Sequence, residues 1–285
     1  MESTTFQSVV ITGASSGIGE ACALHLAKLG WQVFAAVRKQ ADEERLRRNG
    51  LPQLIPIYMD VTDHDLIMAA AGLVAKEVGS RGLRGLINNA GMAIGGPLEF
   101  LPLADLRQQL EINVIGQIAV TQAFLPLLRQ GRGRVINMSS ISGRVPTPFL
   151  GPYAASKFAL EALTDSLRLE LRPWKIEVIS IEPGAIATPI WDKSLSRADN
   201  VIEKLPPQVN TLYGTRLAKL RERVNKTGQQ GIPPAEVAKV VAKALLAKRP
   251  RTRYLVGRDA KWGALLVKLL PDRWRDWLII RQNGA

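Results

Sequence analysis

Cysteine and histidine are almost missing from this chain. Cys22 is the single cysteine, so an internal disulfide is excluded, and His25 and His64, the two histidines, lie far apart in sequence. A Cys/His metal site is therefore not expected. Long apolar runs are missing as well: no stretch reaches the roughly 18 uncharged apolar residues of a bilayer-spanning helix. The opening MESTTFQSVV lacks the basic and apolar regions of a secretory signal. These absences set the expectation of a cytoplasmic chain that neither enters export nor spans a membrane. No internal repeat is present, and Gly 24 and Pro 17 are near average usage, which excludes collagen-like and low-complexity architectures.

What remains is 285 residues, 46% hydrophobic and 22% charged, enough for one large domain with a substantial core. The net charge of +13 invites a nucleic-acid reading, but its distribution argues otherwise. Residues 248–281 carry ten Lys/Arg against three Asp, about seven of the thirteen excess charges, together with Trp262, Trp274 and Trp277. The charge belongs largely to a tail, and no nucleic-acid module accompanies it.

Hydrophobic patterning supplies the fold class. SVVI reads as a strand, TGASSGIG as a glycine turn, EACALHLAKLG as a helix ending at Gly30, and QVFAAVR as the next strand. Strand, turn, helix and strand within about thirty residues form a parallel βαβ unit. Alternation continues with LIPIYMDV, a helix over 63–78, GLINNAG, a helical stretch over 103–128, GRVINMSS, a helix from Tyr153 to Leu171, and IEVISIEPG. Apolar strands separated by helices predict the α/β class: a single doubly wound, Rossmann-type domain with a parallel sheet and helices on both faces. The pattern weakens over 187–231, where a helical piece, TRLAKLRERVNK, interrupts a region too long for an ordinary connection. We read it as a substrate-lid insertion within a catalytic domain of residues 1–257, followed by a basic amphipathic extension at 258–285. A helix, PPAEVAKVVAKALLAK, and a strand, TRYLVG, complete the domain.

The turn places Gly13, Ser15, Ser16, Gly17, Ile18 and Gly19 where backbone N–H groups and a helix N-terminus can hold a pyrophosphate. At the end of the second strand, AAVRK has no acid to accept from a ribose 2′-hydroxyl; Arg38, with Lys39 nearby, suits a 2′-phosphate instead. NADP(H) is the favoured cofactor and NAD(H) the alternative. Asp60 in MDVTD could accept from an adenine amino group or cap the following helix, with Val61 beside it.

YAASK sets Tyr153 and Lys157 one helical turn apart on one face. With TGASSGIG, NNAG (88–91), INVIG around Asn113, INMSS ending at Ser140 and PGAIAT (183–188), the order and spacing resemble the short-chain dehydrogenase/reductase family over nearly the whole chain to about residue 257. RTRYLVGRDAKWG resembles the branch containing retinol and hydroxysteroid dehydrogenases. The resemblance implies that Ser140 holds a carbonyl or alkoxide oxygen and that Tyr153 is the acid/base. It implies that Lys157, with the nicotinamide's positive charge and a water-poor pocket contributing, lowers the phenol pKa, that Lys157 binds ribose, and that Asn113 holds a water linked to Lys157. Bracing by Asn88, contacts from Asn89, Ala90 and Gly91, and a nicotinamide turn at Pro183, Gly184, Ile186 and Thr188 complete the expected cofactor site. Ser139 is set aside because it lacks the family's separation from Tyr153. A homodimer or homotetramer is also implied.

Arg144, Val145, Phe149, Leu150, Ile190, Trp191 and Leu195 are the candidate pocket walls, suited to a hydrophobic ketone, aldehyde or alcohol or, equally, to packing the lid. In the tail, Trp262, Leu265, Leu266, Leu269 and Leu270, then Trp274, Trp277 and Leu278, recur at helical spacing among Arg and Lys. Peripheral membrane contact and packing on protein both fit this pattern. Two competing classes stand beside the enzyme: a catalytically silent NADP(H)-binding regulator, which retention of all four catalytic positions argues against, and a membrane-surface-associated binding protein.

Overall fold

The computed structural model describes residues 7–191, 194 and 206–283. Seven strands alternate with helices: β1 (Ser8–Ile11), α1 (Gly17–Lys28), β2 (Gln32–Val37), α2 (Gln40–Arg47), β3 (Leu54–Tyr58), α3 (His64–Val78) and β4 (Gly85–Asn88). There follow α4 (Leu103–Leu110), α5 (Gly116–Gly131), β5 (Arg134–Met138), α6 (Gly151–Glu170) and β6 (Glu177–Pro183). The described chain closes with α7 (Gln208–Gln230), α8 (Pro234–Leu246), β7 (Arg253–Val256), α9 (Arg258–Leu269) and α10 (Asp272–Asn283). The strands pair in parallel in the order β3-β2-β1-β4-β5-β6-β7. Strand order reverses direction between β1 and β4, and a ligand crevice opens there beyond the carboxyl ends of the strands.

Both faces of the sheet are covered, as continuous apolar strands require. One core joins Val9, Ile11, Val33 and Ile179 to Cys22 and Leu26 of α1 and Val237 and Val241 of α8. The other joins Val10, Phe34, Leu86 and Val135 to Ile67 and Val74 of α3 and Val120, Phe124 and Leu128 of α5. The continuous helical stretch Leu103–Gly131 is long and apolar enough to cross a membrane by length and composition. Its Val120, Phe124 and Leu128 are instead completely buried against the sheet, so its apolar face is already covered.

Three elements depart from the sequence reading. Helix α2 was not expected, because QADEERLR buries only Leu46 and has no apolar stripe; Glu43–Arg47 pairing at i,i+4 and acids in its first turn support it instead. The charged piece at 215–226 is the middle of a longer helix, α7. The stretch 103–128 is interrupted by one π-helical turn at Glu111–Ile115.

Phe124 is the best single test of the second core. Phe124→Ala is expected to lower unfolding free energy by about 3–5 kcal/mol, read from the urea midpoint at unchanged m-value.

Candidate active site

The glycine turn is built by close approach. Gly13 and Gly17 have φ of +63° and +61°, in the region that favours glycine. A Cβ on Gly13 would lie 2.8 Å from Ala90 Cα, and one on Gly19 would lie 2.3 Å from the Gly13 carbonyl oxygen. Thr12, which the sequence reading passed over, fixes this approach: its Oγ1 accepts from the backbone N–H groups of Asn89 and Ala90, both at 2.8 Å. Asn89 Nδ2 returns hydrogen bonds to the carbonyls of Thr12 (2.9 Å) and Gly13 (3.1 Å). Arg45 of α2, also missed, donates to the Ser15 carbonyl and pairs with Glu20. At the helix N-cap, the Ser16 side chain caps none of the first N–H groups of α1. Those donors and the helix dipole suit an anion.

Arg38 follows β2 with its side chain 65% exposed, and its Nη1 lies 3.5 Å from Asp60 Oδ2. Asp60 also accepts from Thr62 N at 3.0 Å and Thr62 Oγ1 at 2.8 Å, and its pKa is lowered by these bonds and by Arg38 against the opposing effect of burial. The helix-cap role considered for Asp60 belongs to Asp63, whose carboxylate accepts from Leu66 N at 3.1 Å.

A cleft of about 560 Å³ runs from this turn across the sheet edge to β6. Gly13, Ser15, Ser16, Gly17, Ile18, Arg38, Asp60, Val61, Asn89, Ala90, Gly91, Ser140, Tyr153, Lys157, Pro183, Gly184, Ile186 and Thr188 all line it. Of the expected cofactor residues, Gly19 does not, because it packs beneath the turn. Met92, Ala93, Ile112, Ser139, Pro189 and Ser194 line it without having been expected. Ser139 Oγ is buried with no hydrogen-bond partner among the described residues. Such an orphaned polar atom, the uncapped helix and the side-chain-free glycine turn fit a polar phosphorylated ligand such as a nicotinamide dinucleotide.

At the inner end, Ser140 caps a short turn, accepting from Ser142 N at 3.1 Å, while its hydroxyl is 3.5 Å from the Pro183 carbonyl, too long to commit the proton strongly. Ser140 lies beside Tyr153, where its hydroxyl works to lower the phenol pKa. Lys157 is only 4% exposed; its Nζ donates to the Met138 carbonyl at 2.8 Å and lies 5.7 Å from the Tyr153 ring centre. Burial pushes the ammonium pKa down to about 8, opposed by Glu161 one turn further along α6.

The phenol departs from expectation in one respect: a water-poor setting opposes its ionisation. Burial raises the Tyr153 pKa and only Ser140 opposes it, so the protein alone does not bring it towards neutrality. Lys157 is occupied by Met138, and the cost of desolvating a phenolate prevails.

Asn113 sits in the π-helical turn, so the asparagine does coincide with an opened helix. Its side-chain amide is committed to protein partners. Oδ1 accepts from Met92 N and Nδ2 donates to Met92 O, both at 2.9 Å, and Nδ2 also reaches Ser156 Oγ at 3.0 Å. Asn113 ties the cleft wall to the helix that carries Tyr153.

Arg144 does not line the cleft. It pairs with the fully buried Glu182 at 2.6 Å, where Arg253 also approaches at 3.3 Å; Arg253 further binds Glu161 at 3.0 Å. A carboxylate buried in β6 requires a cation, which explains the orientation of Arg144. Val145 faces α9 near Gly263, and Leu150 caps α6 beside Gly95. Phe149, at φ +65°, packs edge-on against Tyr213 of α7 at 5.9 Å. Tyr213 donates to Glu99 at 2.7 Å, so these aromatics pack the insertion and do not line the cleft. Ile190 and Trp191 line the cleft; Leu195 lies outside the described residues. The described part of the insertion hangs from a stitched base: Ala187 N donates to Ile232 O at 3.0 Å and Ile232 N to Ala185 O at 2.9 Å.

With this geometry established, comparison with known proteins places the chain. Residues 7–199 match the short chain dehydrogenase family model. An NADPH-dependent 3-dehydrocapnine reductase from Ornithobacterium rhinotracheale is 39% identical over 273 residues, covering 94% of both chains. Retinol dehydrogenase 5 from Mus musculus is 38% identical over 285 residues, covering 96% of this chain and 89% of its own. Among solved structures, a short-chain dehydrogenase from Streptomyces avermitilis superposes with TM-score 0.77 at 26% identity over 100% of both chains. One from Burkholderia cenocepacia in complex with NADP gives 0.73 at 26% identity over 98% of both. The chain belongs to the short-chain dehydrogenase family, near its retinol dehydrogenase branch.

The raised phenol pKa gives a direct test. In the cofactor-free protein, subtracting the Tyr153→Phe spectrum should leave little phenolate absorbance from pH 7 to about 9, the range below ordinary tyrosine ionisation. A phenolate signal near neutral pH would contradict the burial argument.

Proposed function

We propose that the protein is an NADP(H)-dependent oxidoreductase interconverting a hydrophobic ketone or aldehyde and its alcohol. The observation that carries this reading is the convergence of Ser140, Tyr153 and the buried Lys157 on the inner end of one cleft, with Lys157 Nζ 5.7 Å from the Tyr153 ring centre. The glycine turn would hold the pyrophosphate, Arg38 the 2′-phosphate, and the turn at 183–188 the nicotinamide. When bound, the nicotinamide supplies or accepts the hydride. Ser140 donates a hydrogen bond to the reacting oxygen. Tyr153 Oη gives that oxygen a proton in reduction and takes one in oxidation. Lys157, buried and fixed by Met138, keeps positive charge beside the phenol.

Ionising the phenol near neutral pH requires moving its pKa by about three units, on the order of 4 kcal/mol. Because burial already works in the opposite direction, the positive charge of an oxidised nicotinamide becomes part of the requirement. Met92, Ile112, Ile190 and Trp191 give the cleft an apolar wall. Two relatives, a reductase and a retinol dehydrogenase by name, support carbonyl–alcohol chemistry. Tyr153→Phe should retain NADPH binding and lose turnover by at least about 100-fold; equal turnover would remove the proton-transfer role. Arg38→Ala should weaken NADPH about 10- to 100-fold, as expected for losing a charged hydrogen bond, with NADH little changed in the same fluorescence titration.

The extension supports a second contact, an anionic lipid surface. In α9, Ala260 is buried and Gly263 lies against Ile141, whereas Trp262 (64% exposed), Leu265 and Leu269 are exposed on a stripe with Lys261 and Lys268 along one edge. Trp274 and Trp277 of α10 are exposed too. An apolar stripe edged by cations suits a lipid interface, whereas a second copy would bring more positive charge. Cosedimentation with phosphatidylserine vesicles, weakening as salt rises and lost in Trp262→Ala/Leu269→Ala, is the expected result.

A further inference from the structure

The start of α9 reaches into the site. Asp259 Oδ2 accepts from Ala185 N at 2.6 Å, a charged hydrogen bond linking residues 74 apart in sequence. Two glycines make room for this carboxylate. A Cβ on Gly184 would lie 2.0 Å from Asp259 Oδ2, and one on Gly257 would lie 2.4 Å from Oδ1. Gly257 also holds φ +110°, which an L side chain rarely adopts. The segment so held is the cleft wall at Pro183, Gly184, Ile186 and Thr188. Elsewhere this segment is tied by backbone bonds, Gly184 N to Val256 O at 2.9 Å, Ile232 N to Ala185 O at 2.9 Å and Ala187 N to Ile232 O at 3.0 Å, and by the neutral indole of Trp191, whose Nε1 donates to Ile186 O at 2.7 Å. Asp259 is thus a charged side-chain anchor of the turn, and it comes from beyond the last strand.

We propose that Asp259 is a positioning residue for the nicotinamide end of the cofactor: it fixes the Pro183–Thr188 turn through Ala185 N–H, with Gly184 and Gly257 serving as its cradle. The role of Gly184 follows from this packing, because the missing side chain accommodates a carboxylate on the far side of the turn. The first turn of α9 is then part of the catalytic unit, although the sequence divides the chain at residue 257. The consequence for cofactor rests on the proposed function; the effect on the turn does not.

Asp259→Ala and Asp259→Asn in the full chain separate the two. In the cofactor-free protein, amide hydrogen exchange over 183–188 should accelerate at least about tenfold in Asp259→Ala and return towards wild type in Asp259→Asn, which keeps an acceptor oxygen. NADPH should bind about fivefold or more weakly to the alanine variant, with recovery in the asparagine variant. Unchanged exchange would overturn the anchor, and faster exchange with unchanged NADPH affinity would overturn the positioning role. A wild-type chain that binds no NADPH would sink the cofactor reading and this role with it, leaving the exchange result as a measure of the turn alone. Equal loss in the asparagine and alanine variants would overturn the specific Ala185 bond.

Discussion

A buried ammonium organises this molecule. Lys157 is removed from water inside α6, and its compensation comes from a strand-end carbonyl at Met138 and from Glu161 on the same helix. Glu161 then has to be balanced in turn, by Arg253 from β7, and the buried Glu182 draws Arg253 and Arg144 into the same cluster. One interior charge thereby brings α6, β5, β6 and β7 into a common electrostatic arrangement. Removing any member would leave another charge inadequately matched, the situation in which buried ion pairs become costly.

The sheet interior repeats this logic with neutral groups. Thr121 on α5, Asn88 on β4, Asn137 on β5 and Thr164 on α6 form a buried chain of hydrogen bonds at 2.8–2.9 Å. The two helices flanking the strand ends are thus linked through the sheet by side chains of defined partner. Buried amides and hydroxyls of this kind fix relative placement because an alternative packing would leave them unpaired.

Local pattern made much of the architecture legible. The glycine turn, Tyr153 and Lys157 each depend on neighbours within a few residues, and strand alternation followed from apolar runs alone. Tertiary partners were not legible in the same way. Arg144 looked like a pocket wall because nothing near it announces Glu182, 38 positions later. Asn113 could be placed at an opened helix, but its attachment to Met92 depends on how α4 folds back over the strand end. The opposing effect of burial on the phenol was not legible, because i,i+4 spacing gives proximity to a lysine but says nothing about desolvation. Helix α2 escaped notice because a solvated helix with one buried leucine has almost no periodic signature.

The stitched base at Ala185, Ala187 and Ile232 has a bearing on how such an enzyme diversifies. The backbone bonds bring residues 187 and 231 to neighbouring positions, so the ends of the intervening segment are closed by the sheet-side framework. Lengthening a loop whose ends are already held costs little, since closure entropy grows only logarithmically with length. The segment can therefore be exchanged as a cassette, altering what enters above Ile190 and Trp191 while leaving Ser140, Tyr153, Lys157 and the glycine turn in their original frame.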